Sequence, residues 1–103
     1  MSDPVVLLDV DHRGVATVTI NRPEVNNAYN GEVIQAMIDG VTQCADDDAV
    51  RVIVIRGNGR HFQAGADLKW LKEIGKLSPA ENVAVSRSTA SAIRGLTEIM
   101  KPT

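Results

Sequence analysis

RVIVIRGNGRHFQAGADLKWLK, Arg51 to Lys72, is the stretch on which the fold turns. Four consecutive β-branched residues, Val52-Ile53-Val54-Ile55, predict a strand buried on both faces. Gly57-Asn58-Gly59-Arg60 predicts a turn. Small and apolar residues from Phe62 to Asp67 then lead into a helical spacing at Leu68, Leu71 and Ile74. Strand, loop and helix start is the place where α/β proteins bind ligands. The loop is made of Gly and Ala, so its backbone can approach a ligand closely. No Ser, Cys or Lys stands at the junction as a nucleophile, which leaves the backbone itself as the working group. Gly65 can take a positive φ, and Asp67 suits a helix N-cap. The N–H of Ala66 then lies near the positive end of the helix dipole, where a carbonyl oxygen gaining charge would be stabilised. Taken alone, the pattern favours the plainer reading, a tight turn before a capped helix with no ligand.

Upstream, Val5 to Val10 reads as a strand and His12-Arg13-Gly14 as a turn, with His12 solvated. Val15 to Ile20 alternates, placing Ala16, Val18 and Ile20 on one face. The two predict an opening β-hairpin. Pro23 ends the strand and biases Arg22 toward extended backbone. The Glu24 to Asn27 loop follows, with Asn27 expected to bond local backbone. Asn30 can cap a helix whose stripe is Val33/Ile34, Met37/Ile38, Val41 and Cys44/Ala45. Cys44 falls on that stripe and is read as core. Asp46-Asp47-Asp48 lacks the alternating spacing and Gly of a calcium loop, so it is read as a solvated helix exit, and no metal site is expected.

Downstream, Gly75 closes the short helix. Ser78-Pro79-Ala80-Glu81 is a capping box with Pro at the first helical position. The helix it opens should run to about Ile99, with Val83, Ala90, Ile93, Leu96 and Met100 as its apolar stripe, and Lys101-Pro102 should stop it. Arg56, Arg60 and Lys69 read as surface charges, and His61 as a loop residue. Gly57 and Gly59 begin a dinucleotide-like Gly-x-Gly, but the third Gly position falls at Phe62. A P-loop is excluded, because no Gly-Lys-Ser/Thr occurs.

The chain has 103 residues, 44% hydrophobic and 23% charged, with a net charge of −2. That is one domain at most. The balance offers no electrostatic case for nucleic acid or an anionic membrane. No apolar run approaches a membrane span, and the first residues lack the regions of a signal peptide. One cysteine cannot make an internal disulfide, which fits a reduced, cytoplasmic setting, and equally an organelle after removal of a transit peptide. The only aromatic residues, Tyr29, Phe62 and Trp70, make no base-stacking platform. Trp70 is expected to pack on the core or in a pocket.

Gly59-Arg60-His61-Phe62-Gln63-Ala64-Gly65-Ala66-Asp67-Leu68 resembles the central signature of the enoyl-CoA hydratase/isomerase (crotonase) superfamily, Gly-x-x-Phe-x-Ala-Gly-Ala-Asp-apolar after a buried strand. Asn21-Arg22-Pro23-Glu24-Val25-Asn26-Asn27-Ala28 resembles the Asn-Arg-Pro-x-x-x-Asn-Ala loop of that family, and Lys101-Pro102-Thr103 the start of its next strand. The three matches stand in the family's order. They cover nearly the whole chain, but only the N-terminal part of the family's domain. Within the family, Ala66 to Leu71 is closest in wording to the methylglutaconyl-CoA hydratases of branched-chain amino-acid degradation.

The resemblance implies an α/β fold: a three-stranded sheet with packed helices, the opening ββα units of the crotonase spiral. It implies an acyl-CoA thioester substrate and no separate cofactor, coenzyme A being part of the substrate. Ala66 N–H becomes one oxyanion donor. Val25, Asn26 and Ala28 are placed along the coenzyme A path, with Ala64, Asp67, Leu68 and Lys69 beside it, Lys69 toward the phosphates. Glu24 and Asn26 stand where the family often has a basic residue, which weakens the case for a charge contact from that loop. Hydration of an enoyl thioester, a carbon–oxygen lyase reaction, also needs a second donor and acid–base groups. The family supplies these beyond the Lys-Pro-x strand, so the chain is expected to be an N-terminal piece of a longer, oligomeric (trimeric) enzyme and to be inactive alone. The alternative is a short non-catalytic protein that binds acyl-CoA or a partner, and a third reading is a structural domain with a vestigial loop.

Overall fold

The computed structural model describes residues 4–98. The stop at Lys101-Pro102, the stripe position Met100 and the Lys101-Pro102-Thr103 match lie outside the described residues. Strands β1 (Val6–Val10) and β2 (Val15–Ile20) form the expected hairpin, pairing antiparallel from Val6 opposite Ile20 to Val10 opposite Ala16. Helix α1 (Gly31–Asp46) carries the chain across to β3 (Val52–Gly57), which pairs parallel with β2 from Val15 opposite Val52 to Ile20 opposite Gly57. The sheet order is β1-β2-β3. Two helices follow, α2 (Leu68–Ile74) and α3 (Pro79–Glu98). This is the α/β arrangement expected of the opening ββα units.

The period-two pattern of β2 sends Ala16, Val18 and Ile20 inward, where all are buried. They meet the α1 stripe: Val33, Ile34, Val41 and Cys44 are buried, and Asn30 caps the helix by accepting from Val33 N–H at 3.0 Å. Ala16, Val18, Cys44, Val50 and Ile53 form the central cluster. Asp46, Asp47 and Asp48 are exposed at the helix exit, as expected.

β3 corrects the sequence reading. Ile53 is 1% exposed, but Val54 is 41% exposed, so the strand is not buried on both faces. A continuous apolar run implies burial on both faces; here Cys44 of α1 and Val50 pack on the face carrying Ile53, while Val54 and Arg56 face solvent.

α3 supplies the second correction. The capping box forms as expected: Ser78 Oγ accepts from Glu81 N–H at 3.2 Å, and Glu81 Oε1 accepts from Ser78 N–H at 3.4 Å. Among the described residues, only Leu96 of the predicted stripe turns inward, however. Val83 is 50% and Ile93 63% exposed, and Ala90 is exposed too. Val85, Thr89, Ala92 and Leu96 are the half-covered positions, at spacings of four, three and four. The apolar arc of this helix is about half its circumference, and periodicity cannot say which edge of so wide an arc turns inward. Packing against α1 selects the Val85–Leu96 edge.

Candidate functional site

Two loops meet at the ends of β2 and β3. In the first, residues 21–29, the chain leaves β2 through a single 3₁₀ turn, Pro23–Val25. Asn26 and Asn27 follow at φ 56° and 61°. Asn tolerates the left-handed region better than other residues with a side chain, so two successive asparagines can reverse the chain here. The reversal drives the Asn27 side chain inward. It is fully buried and fully bonded. Its Oδ1 accepts from Arg22 N–H at 2.8 Å, and its Nδ2 donates to the carbonyls of Asn58 at 2.9 Å and His61 at 2.6 Å. The expected local bond is present. The two bonds to the other loop, across more than thirty residues, were not anticipated.

The second loop, residues 58–67, is held at its far end as well. Tyr29 N–H donates to Gly65 O at 2.9 Å, and Asp67 N–H donates to Tyr29 O at 2.8 Å, a single parallel bridge between Tyr29 and Ala66. Gly65 has the positive φ expected of it, 90°. The Gln63 amide folds back on Gly65, accepting from its N–H at 2.8 Å and donating to its carbonyl at 3.3 Å. At the entrance to the loop, a Cβ on Gly57 would overlap the carbonyl oxygens of His61 and Phe62 and the Asn27 amide. Only glycine permits that approach.

Arg22 spans the bridge. One guanidinium nitrogen donates to Ala28 O at 2.7 Å and the other to Asp67 Oδ2 at 3.1 Å. Both side chains of the ion pair are mostly buried, 16% and 15% exposed. The other carboxylate oxygen, Asp67 Oδ1, caps α2 as expected, accepting from Lys69 N–H at 2.8 Å and Trp70 N–H at 3.2 Å. The Trp70 and Lys69 N–H groups and the Arg22 guanidinium, against some burial, hold the Asp67 carboxyl below its ordinary range. Trp70 packs edge-on against Tyr29, with ring centroids 5.7 Å apart.

These contacts fix which way the Ala66 N–H points. In a parallel bridge the groups facing the partner alternate along the chain. Gly65 O and Asp67 N–H face Tyr29, so Ala66 N–H points the other way. It donates to no group among the described residues. The Asp67 carboxylate takes the Lys69 and Trp70 N–H groups of α2, while Ala66 N–H is left, with Leu68 N–H, as an unbonded backbone donor beside the bridge among the described residues.

Of the other residues singled out from the sequence, Ala28 is buried beside the bridge, and Ala64, Leu68 and Lys69 lie exposed around Ala66. Val25 and Asn26 are exposed on the 3₁₀ turn. His61 and Arg60 are exposed, as expected. The structure adds Arg22, Asn27 and Tyr29, for which the visible signal was two consecutive asparagines after a strand-ending Arg-Pro. It also adds an apolar groove of about 340 Å³ between α1 and α3, lined by Ile20, Tyr29, Met37, Ile55, Phe62 and Leu96 among others. No metal-binding cluster of His, Cys, Asp or Glu occurs among the described residues, and none of their helices is long and apolar enough to cross a membrane.

The same loops and sheet occur in known proteins. The chain is 34% identical over 92 residues to 1,2-epoxyphenylacetyl-CoA isomerase of Escherichia coli, covering 87% of this chain and 35% of that protein. It is 40% identical over 63 residues to trans-2-decenoyl-[acyl-carrier-protein] isomerase of Streptococcus mutans, covering 61% and 24%. A crystal structure described as an enoyl-CoA hydratase/isomerase (crotonase) from Legionella pneumophila superposes with a TM-score of 0.92 at 30% identity, over 99% of this chain and 39% of that one. The chain thus spans about a quarter to two-fifths of the length of these proteins. The sequence profile of the enoyl-CoA hydratase/isomerase family matches residues 11–103, and with the sheet, the two loops and the superposition in agreement, the chain belongs to that family.

Proposed function

We propose that this chain is the N-terminal, thioester-holding part of an enoyl-CoA hydratase/isomerase, and that Ala66 N–H is one of its two oxyanion donors. The observation that carries this reading is the unpartnered Ala66 N–H, turned outward between two groups bonded to Tyr29. Addition of water to an enoyl thioester and shift of its double bond both pass through an enolate-like species whose charge gathers on the thioester oxygen. A donor already aimed at that oxygen stabilises the charge without reorganising, and loss of one such donor costs about 2.7–4 kcal/mol in an acyl-transfer enzyme. Ala64 and Leu68, both exposed, flank the donor, and Lys69, the second residue of α2, is available for the coenzyme A phosphates. Val25, Asn26 and Ala28 border the path on the other loop. No cofactor beyond the coenzyme A of the substrate is called for.

Hydration also needs a second donor and groups to activate water and protonate the α-carbon. The Asp67 carboxylate, next to Ala66, is not free for that work, since both its oxygens are bonded. The 103 residues alone are therefore inactive, and the complete enzyme is an oligomer working in the cytoplasm. The test is a titration of the 103-residue chain with crotonyl-CoA, followed by the backbone amide spectrum. The expected result is a saturable downfield shift of the Ala66 amide without turnover. An Ala66 amide that stays in place at saturating thioester overturns the reading, and turnover that depends on Ala66 overturns the claim of inactivity.

A further inference from the structure

Resting on the oxyanion reading of Ala66, we infer that Arg22 is the positioning residue that holds this donor in its working orientation, acting through Asp67 and Ala28 rather than by touching substrate. The argument is geometric. The donor's direction is set by a bridge of only two hydrogen bonds, Tyr29 N–H to Gly65 O and Asp67 N–H to Tyr29 O. An isolated bridge lacks the neighbouring rungs that hold a strand in a sheet. Its two chains come from loops, and Gly65, immediately before the donor, is the residue with the widest backbone freedom. Something outside the bridge must therefore fix it. The Arg22 fork reaches both of its chains at once. One nitrogen binds the carbonyl of Ala28, immediately before Tyr29, and the other binds the side chain of Asp67, immediately after Ala66. Asp67 is fixed in turn by capping α2.

The planar guanidinium suits this role, because its nitrogens are rigidly spaced and permanently charged. Arg22 itself is anchored, since its N–H is held by the buried Asn27 side chain. Asn27 also holds the carbonyls of Asn58 and His61 at the start of the same loop. The segment from Asn58 to Asp67 thus hangs from residues 22–29 at both ends, with Arg22 at the end that carries the donor.

The test compares the unaltered 103-residue chain with Arg22→Met, Asp67→Asn and the double variant. Asparagine caps a helix about as well as aspartate, so Asp67→Asn keeps the α2 cap while losing the ion pair. Hydrogen exchange at the Tyr29 and Asp67 amides reads the bridge, exchange at Val18 and Ile53 reads the core, and the Ala66 amide under crotonyl-CoA reads the donor. Each single variant should speed exchange at Tyr29 and Asp67 about tenfold, the scale of one charge-assisted hydrogen bond. Val18 and Ile53 should stay unchanged, and half-saturation of the Ala66 shift should need about tenfold more thioester. The double variant should be no worse than Arg22→Met, which already removes the Asp67 link along with the bond to Ala28. Unchanged exchange at Tyr29 and Asp67 overturns the inference. So does an increase shared equally by Val18 and Ile53, which would mark Arg22 as a general stabiliser. If the unaltered chain shows no Ala66 response, the oxyanion reading fails separately, and exchange at the bridge still decides what Arg22 does.

Discussion

The loop junction and the groove between α1 and α3 are built in opposite ways. At the junction, polar side chains do the holding. Asn27 is wholly buried with each of its polar atoms bonded, and the Arg22–Asp67 pair is mostly shielded from water. The groove is lined by apolar side chains with little over them, and Ile93 at its edge is 63% exposed. A buried polar network left half-satisfied costs more than an apolar contact left half-made. The junction must therefore close completely within these residues if it closes at all, whereas the groove can stay open at modest cost. The hydrogen bonds around Ala66 are thus made among residues 22–70, with no contribution from the described residues of α3.

That contrast makes graded expectations. The largest effect should come from Asn27→Ala, which strands two carbonyls and the Arg22 N–H away from water, at about 1–3 kcal/mol for each unsatisfied group. A total near 4 kcal/mol is expected by urea unfolding, a large part of the stability of so small a chain. Gly57→Ala should approach it, because the new methyl group meets backbone oxygens that cannot swing aside. On the groove side, the covered floor should respond like any core position. Val33, 2% exposed, should lose about 2 kcal/mol on truncation to Ala. Cost equal to that of Asn27→Ala would erase the distinction between the two regions.

Acid should act on the junction more than on the groove. The Asp67 carboxyl lies below its ordinary 3.8 in the folded chain, so its contribution is complete above that value and is lost as pH falls through the lowered one. Asp11, held at about 2 chiefly by the Arg13 side chain, behaves alike in the β1–β2 turn between 3.8 and about 2. Asp67→Asn should flatten part of the acid limb of stability measured against pH, while Val33→Ala should shift the whole curve without changing its shape. The smallest effect belongs to Ile93→Ser, expected within about 0.5 kcal/mol, as for other exposed positions. A loss of 2 kcal/mol there would show the groove to be closed in solution.

Much of this architecture could be read from residue order. β2 was visible in its alternation, α1 in its stripe and Asn30 cap, α3 in its capping box, and the bend at Gly65 in its neighbours. These are local matters: each depends on residues within a turn or two of one another, where side-chain periodicity and capping chemistry act. Ala66 could be singled out for the same reason, as a backbone donor between a glycine and a helix cap. The burial of β3 and the inward edge of α3 were misread, since both depend on what lies across a face rather than along the chain.

The partners of Asn27 and Arg22 illustrate the remainder. Asn27 reads as a loop residue bonding its neighbours, and nothing within a few positions of it points to Asn58 or His61. Arg22 reads as a strand end, and Asp67 lies forty-five residues away. Those pairings exist because parallel alignment of β2 and β3 brings the ends of both strands side by side, which places two loops in register that have no relation in the chain. Local propensity thus settles the elements and marks Ala66 as a candidate, while the direction in which its N–H points follows from the sheet that brings the loops together.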